Sequence, residues 1–283
     1  MRTIILTILA MLAFAANTIL CRAALGKELI DATTFTTIRL ASGALCLVLI
    51  LYFRQRTQFK SVSVTTFNLK SSLALFIYAI CFSFAYIEIS TGTGALILFG
   101  TVQLTMILAS IVKGEKSSLA VWSGIILAFG GLIYLVLPGV NAPSLFSAAL
   151  MAISGLGWGT YSLQGRGSAN PVADTTWNFI GTLPFIIVTS LFFIRSFSVT
   201  APGIVLAVAS GALASGVGYV IWYAVLPSLS RTVAAIVQLS VPTIAAFGGV
   251  LFMAELITTR LILASIATLG GIAIVIYAKR PVK

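Results

Sequence analysis

The sequence predicts an all-α integral membrane protein of ten transmembrane helices in two inverted five-helix repeats (5+5). Three observations carry this expectation. Hydrophobic residues fill 59% of the 283 positions and charged residues 8%, against about 25% charged in ordinary soluble domains; so few charges cannot cover a water-facing surface. The chain also repeats itself at an offset of 140 residues. Gly114-Glu115 precedes Gly130-Gly131 as Ala254-Glu255 precedes Gly270-Gly271, and Ala95-Leu96-Ile97 falls on Ala235-Ile236-Val237. Finally, the cations are distributed as an odd number of spans per repeat requires.

A membrane-spanning helix needs about 20 apolar residues, and ten such stretches follow in order. Thr3–Cys21 is the first. Arg2, a short apolar core and Ala13-Phe14-Ala15 also fit a cleavable signal peptide, but the apolar run continues to Cys21 and has a counterpart in the second half, so a retained helix is expected. Thr33–Phe53 ends at the cation-rich Arg54–Lys70. Ser71–Ile87 carries Tyr78, Phe82 and Tyr86 at four-residue steps, which share one helix face. Thr93–Val112 stops at the polar Lys113–Ser117, and Ser118–Leu137 at Pro138–Ser144. Leu145–Gln164 contains Gly157-Trp158-Gly159 and breaks at Gly165–Pro171. Thr176–Ile194 and Gly203–Val225 come next, then the Pro227–Arg231 turn, Thr232–Ala254 and Leu261–Ala278. Residues 1–139 form the expected first repeat and 140–283 the second, with loops too short for a soluble domain.

With the N-terminus in the cytoplasm, the inner side holds Arg2, Arg54, Arg56, Lys60, Lys70, Lys113, Lys116, Arg166, Arg231, Lys279, Arg280 and Lys283, and the outer side Lys27, Arg195 and Arg260. Twelve against three, with Arg22 and Arg39 near the outer membrane edge left out of the count, follows the positive-inside rule and places both termini inside. The net charge of +11 therefore reflects membrane orientation, and no nucleic-acid partner is expected. There is no histidine, and Cys21, Cys46 and Cys81 lie in apolar stretches, where thiols pack. No metal, no cofactor and no enzymatic chemistry are expected from so few ionisable groups.

The two five-helix halves, Glu115 with Gly130-Gly131, Glu255 with Gly270-Gly271, and the helix around Gly157-Trp158-Gly159 together resemble the drug/metabolite transporter superfamily, specifically its EamA-type ten-helix members. Arg39 also falls where such proteins often carry an arginine. Pro242 matches a frequent family proline, whereas Val102 stands at the corresponding first-half position. The first span has Ala13, Phe14 and Ala15 and no acid, which argues against proton-driven drug efflux through a span-one glutamate. The resemblance implies a secondary transporter in the bacterial inner membrane. It would export small organic metabolites, amino acids or related compounds, by alternating access. A carrier of phosphorylated or nucleotide-linked sugars, or a non-transporting scaffold or sensor, remains the alternative.

Within that frame, Glu115 and Glu255 are expected at helix starts, where the helix dipole favours a carboxylate, with proton coupling the alternative. Gly130, Gly131, Gly270 and Gly271 allow close helix packing; in similar proteins these helices are peripheral supports or a homodimer surface. Arg39, about two turns inside span two, is a gate or an anion anchor, or else it snorkels to the outer surface. Glu88 at the end of span three is its expected partner in gating or coupling. Tyr78, Phe82, Trp158, Tyr161, Tyr219 and Trp222 are candidate substrate-cavity residues, with Gly211, Ser215, Gly218 and Trp222 forming a small-residue stripe. Asn17 and Gln238 are candidate substrate hydrogen-bond partners; interhelical bonding is the alternative.

Overall fold

The computed structural model describes residues 1–55, 68–114, 118–139, 142–165, 168, 170–229, 234 and 237–278. Among these residues the chain is all-helical, with no strands. The helices are α1 (Arg2–Leu25), α2 (Ala32–Gln55), α3 (Leu69–Ala85), α4 (Thr91–Val112), α5 (Leu119–Val136) and α6 (Leu145–Gln164). They continue with α7 (Pro171–Ile180), α8 (Leu183–Phe192), α9 (Ala201–Val208), α10 (Gly218–Val225), α11 (Ser240–Met253) and α12 (Thr259–Ala278), and a π-helical stretch, Ala209–Val217, joins α9 to α10.

Seven segments among the described residues are long and apolar enough to cross a membrane: Arg2–Leu25, Ala32–Phe53, Thr91–Val112, Leu119–Val136, Pro171–Phe192, Ala201–Ser228 and Thr259–Ala278. Three of the ten expected spans differ. Leu69–Ala85 and Ser240–Met253 are apolar but shorter, and the glycines and serines of α6 dilute its apolar character. Large apolar side chains such as Ile8, Leu49, Ile126, Leu191 and Leu251 are exposed all around the bundle, an outer surface that suits lipid and not water.

Local chemistry sets the helix ends. Asp31 starts α2 by accepting the Thr34 N–H at 2.9 Å. Asn68 caps α3 through the Lys70 and Ser71 N–H groups. The seventh segment begins at Pro171, five residues before the expected Thr176, because Asn170 accepts the Ala173 N–H and Pro171 occupies the first turn, where a missing donor costs nothing. Pro184 then divides α7 from α8, since its ring removes a backbone donor from the ladder.

The α5 and α12 helices pack on each other, beside a small apolar cluster they share with α4 through Leu104, Ile107, Val121, Ile125, Ala128, Ile272 and Val275. The other helices build the main core. There α3 packs on α6, α4 on α6 and α11, and α1 on α9, α10 and α11, while α2 lies against the π-helical stretch, α7, α8 and α9. Each expected glycine doublet splits. A Cβ on Gly131 would stand 2.5 Å from Thr268 Oγ1, and one on Gly271 2.5 Å from the Gly124 carbonyl, whereas Gly130 and Gly270 face open space. Thr268 Oγ1 also donates to the Ala128 carbonyl at 3.4 Å.

The end of the bundle away from the N-terminus, the far face, is tied together at four places. Ile30 bridges to Val199, and Asp31 accepts the Ser198 N–H at 3.1 Å. Glu88 accepts from Ser144 at 2.6 Å and Ser147 at 2.9 Å. Arg260 donates to the Leu137 carbonyl at the end of α5. At the fourth, Arg22 Nε meets Glu255 Oε1 at 3.1 Å, and Arg22 Nη1 donates to the Tyr86 and Ile87 carbonyls at 3.1 and 2.7 Å.

Two expectations are corrected here. Glu255 does not serve the start of the helix that follows it; its Oε2 accepts the Thr91 N–H at 2.8 Å, so it caps α4, while Thr258 caps α12. The chain reverses at Ala254, in the left-handed region with φ 53°, and this turn carries Glu255 toward α4. Glu88 is not paired with Arg39; its partners are the two serines at the start of α6. Glu115 lies outside the described residues.

Candidate functional site

Inside the main core, α1, α3, α4, α6 and the π-helical stretch with α10 surround a cavity of about 20 Å³, room for about one water. Phe14, Asn17 and Thr18 reach it from one face of α1, since side chains three and four apart align on a helix. Tyr78 and Phe82 do so from α3. Leu98 and Phe99 come from α4, Trp158 from α6, and Ala214, Ser215 and Tyr219 from the other side.

Gly157 brings α6 this close. A Cβ there would lie 2.9 Å from the Ala74 carbonyl and the Tyr78 nitrogen, so the bare backbone lets Trp158 settle beside Tyr78. The Trp158 ring centroid is 4.9 Å from that of Tyr78, 5.1 Å from Tyr219 and 5.4 Å from Tyr161. Phe14 meets Tyr219 and Trp222 edge-on, both at 5.9 Å. Such aromatic pairs contribute roughly 0.5–1.5 kcal/mol each beyond their buried area.

The polar groups form one chain behind this wall. Arg39 Nη2 donates to Tyr78 Oη at 2.8 Å, Asn17 Nδ2 donates to the same oxygen at 3.2 Å, and Ser210 Oγ donates to Asn17 Oδ1 at 2.7 Å. Arg39 is 1% exposed, which overturns the snorkelling alternative. Its guanidinium carbon lies 5.1 Å from the Tyr78 ring centroid and 5.0 Å from that of Phe82, a cation–π cradle. Nε and Nη1 of Arg39, and Oγ of Ser215, are buried without hydrogen-bond partners. The π-helical stretch creates this contact. Gly211 presses against the Arg39 carbonyl and Ser42 Oγ, where no Cβ fits, and its neighbour Ser210 is aimed at Asn17. Wide turns of this kind recur at functional sites.

Of the nine residues expected to bind substrate, Asn17, Tyr78, Phe82, Trp158 and Tyr219 line the cavity, and Arg39 stands directly behind Tyr78 and Phe82. Tyr161 and Trp222 pack one layer out, against Trp158 and Phe14. Gln238 is apart from the group; its Nε2 donates to the Ala234 carbonyl, four residues back in the chain, at 3.1 Å. Sequence reasoning did not single out Thr18, Leu98, Phe99 or Ala214 as site residues. Thr18 carried a usable signal, its place next to Asn17. Ala214 adjoins the Gly211, Ser215, Gly218 stripe, whereas Leu98 and Phe99 sit in the apolar run Ala95–Phe99 and carried none.

Glu88 lies outside the spans and outside the cavity. The Ser144 and Ser147 hydroxyls that it accepts from hold its carboxyl below the usual carboxylate range. A second hollow, about 520 Å³, lies between α4, α5 and α6 and is walled by residues such as Leu104, Leu108, Phe129, Ile133 and Leu156. It gathers no charged side chain.

The pattern of the EamA-like transporter family matches this chain twice, over residues 1–137 and 145–277. An uncharacterized protein of Pseudomonas aeruginosa is 46% identical over 275 residues, covering 97% of this chain and 94% of that protein. The uncharacterized transporter YoaV of Bacillus subtilis is 21% identical over 251 residues, covering 84% of this chain and 85% of its own. A solved crystal structure superposes with a TM-score of 0.66 at 14% identity, covering 99% of both chains, a likeness of fold.

Proposed function

Because the chain belongs to the EamA-like transporter family, we propose that it is a secondary transporter that exports small organic metabolites, amino acids and related compounds first among them, by alternating access. The carrying observation is the aromatic cavity at the crossing of α1, α3, α6 and the π-helical stretch, with the buried guanidinium of Arg39 behind it. At about 20 Å³ it is too small for a metabolite, as expected of a site that widens only when one face of the bundle opens.

The 5+5 arrangement is part of this reading. Count α7 with α8 as the seventh span and α9 to α10 as the eighth, so that α11 is the ninth and α12 the tenth. Shifting every span by five then turns the α3–α6 contact into that of spans eight and one, and the α4–α6 contact into that of nine and one. The α5–α12 and α4–α11 pairs map onto themselves. The pairing survives the exchange, which supports two related halves, as does the doubled family match. Twelve cations against four, with Arg22 counted on the far face, favour both termini in the cytoplasm of a bacterial inner membrane, which makes the tied far face the outer one.

Among the described residues no carboxylate lines the cavity, although Asp174 Oδ1 is buried without a partner at the start of α7. Glu28, Asp31, Glu88, Asp174 and Glu255 all lie at helix ends or in turns. Facilitated diffusion or exchange fits better than coupling by a cavity carboxylate.

Purified protein in liposomes, preloaded with single metabolites and tested for counterflow, checks the proposal. Substrate-dependent counterflow that is lost on disrupting the cavity is expected. Intact protein that moves no member of a broad metabolite panel would refute it.

A further inference from the structure

The polar chain beside the cavity has used the acceptors of Tyr78 and Asn17 and kept most of its donors. Tyr78 Oη already accepts twice, from Arg39 Nη2 and Asn17 Nδ2, and Asn17 Oδ1 accepts from Ser210. A phenol that accepts two hydrogens still has one to give, and a guanidinium only gives. What remains is the Tyr78 hydroxyl hydrogen, the second hydrogen of Asn17 Nδ2, those on Arg39 Nε and Nη1, and the Ser215 hydroxyl on the cavity wall, which gives one hydrogen and can also accept. The two Arg39 nitrogens and the Ser215 oxygen are buried and partnerless. No carboxylate among the described residues lines the cavity to receive an ammonium group, and Phe14, Phe82, Leu98, Phe99 and Trp158 supply apolar surface.

We propose that this cavity binds small organic acids, compounds with one carboxylate on an apolar body, and that the amino group of an amino acid has no role in recognition. The carboxylate accepts from Tyr78 Oη and Ser215 Oγ and is balanced by Arg39. As the cavity widens, the second Nη2 hydrogen of Arg39 and its neighbour on Nε or Nη1 form the fork that a carboxylate fits. The rings then hold the apolar body. A buried cation without an acidic partner is unfavourable on its own; the ligand supplies the missing charge. This rests on the transport reading above and narrows its substrate class.

The test uses four probes that share a phenyl body: 3-phenylpropionate, phenylalanine, 3-phenylpropan-1-ol and 2-phenylethylamine. Binding to wild-type protein in nanodiscs, in chloride-free buffer, is read by tryptophan fluorescence, and counterflow is measured in liposomes. We expect 3-phenylpropionate to bind at least tenfold tighter than the alcohol or the amine and no weaker than phenylalanine. Arg39→Gln should erase that preference and Arg39→Lys should keep part of it. Tyr78→Phe, which leaves the charge in place, should weaken 3-phenylpropionate about tenfold.

An alcohol or amine that binds as tightly as the acid overturns the proposal. So does phenylalanine binding tenfold tighter than 3-phenylpropionate, or an unchanged preference in a folded Arg39→Gln protein. The wild-type series decides even if the variants do not fold. Counterflow of other metabolites without acid preference would sink this inference and leave the transport reading standing. Absence of counterflow for every compound would sink both.

Discussion

Arg22 and Glu255, 233 residues apart in sequence, meet at 3.1 Å on the far face. The pair joins the end of α1 to the turn after α11, and each partner also holds the region between α3 and α4. Arg22 donates to the Tyr86 and Ile87 carbonyls, and Glu255 accepts the first N–H of α4. Both side chains are partly exposed, 19% and 16%, so the ion pair by itself contributes at most about 1 kcal/mol. Its strength lies in tying three chain segments at one point.

Loosening that tie should open the far face. In a protein whose Cys46 and Cys81 are replaced by alanine, Arg22→Ala should speed maleimide labelling of the buried Cys21, one residue away. A shift of 1–2 kcal/mol toward an open form corresponds to roughly 5–30-fold. Unchanged labelling would mean that the Arg22–Glu255 contact does not control access.

Tyr78→Phe should leave Arg39 Nη2 and Asn17 Nδ2 without their shared acceptor inside the core. Stranding buried donors costs about 1–3 kcal/mol. The melting temperature in detergent should fall. Equal melting of Tyr78→Phe and wild type would remove the hydroxyl from the stabilising network.

The glycine doublets should respond asymmetrically. Gly271→Ala places a methyl 2.5 Å from the Gly124 carbonyl and 2.6 Å from the Ala128 nitrogen, and overpacking of this kind costs about 1–3 kcal/mol. Gly270→Ala meets open space and should be neutral or slightly stabilising, because alanine favours the helix by about 1 kcal/mol. Thermal or SDS denaturation distinguishes them; equal effects would contradict the packing of α5 on α12.

Glu88 should prove structural and acid-sensitive. Its carboxyl sits below the usual range because Ser144 and Ser147 donate to it. A depressed native pKa stabilises the fold above the unfolded-state pKa, and that contribution is lost as pH falls through the lowered native value. Stability should therefore be flat with respect to Glu88 from neutral pH to the normal carboxylate range and fall only below it. Glu88→Gln should remove that acid limb and leave counterflow at pH 7 near wild type. Loss of flux would return Glu88 to the transport mechanism.

Much of the helical layout was legible because it follows from composition and near neighbours. The apolar runs, the turn residues between them and the four-residue spacing of Tyr78 and Phe82 are all local facts. The start of the seventh segment was misplaced because Asn170-Pro171 reads as a break until the Asn170 side chain is seen capping the helix that follows. The cavity wall was only partly legible. Leu98 and Phe99 sit in the apolar run Ala95–Phe99, so periodicity could not say which side faced inward. Gln238 looked mid-span, yet its amide nitrogen returns to its own backbone.

The sequence by itself determined that this protein is an all-helical membrane protein, where most of its helices run, and that an arginine lies within one of them. Only the tertiary structure decided what that arginine meets, that Glu255 caps α4, that Gly131 and Gly271 pack while Gly130 and Gly270 face out, and that Glu88 belongs to α6. The physical reason is range. Apolar length and side-chain spacing are set by residues a few positions apart, whereas a helix's rotation and neighbours are set by close packing between segments more than a hundred residues distant. In an apolar chain, the faces that pack and the faces that meet lipid are written in the same residues.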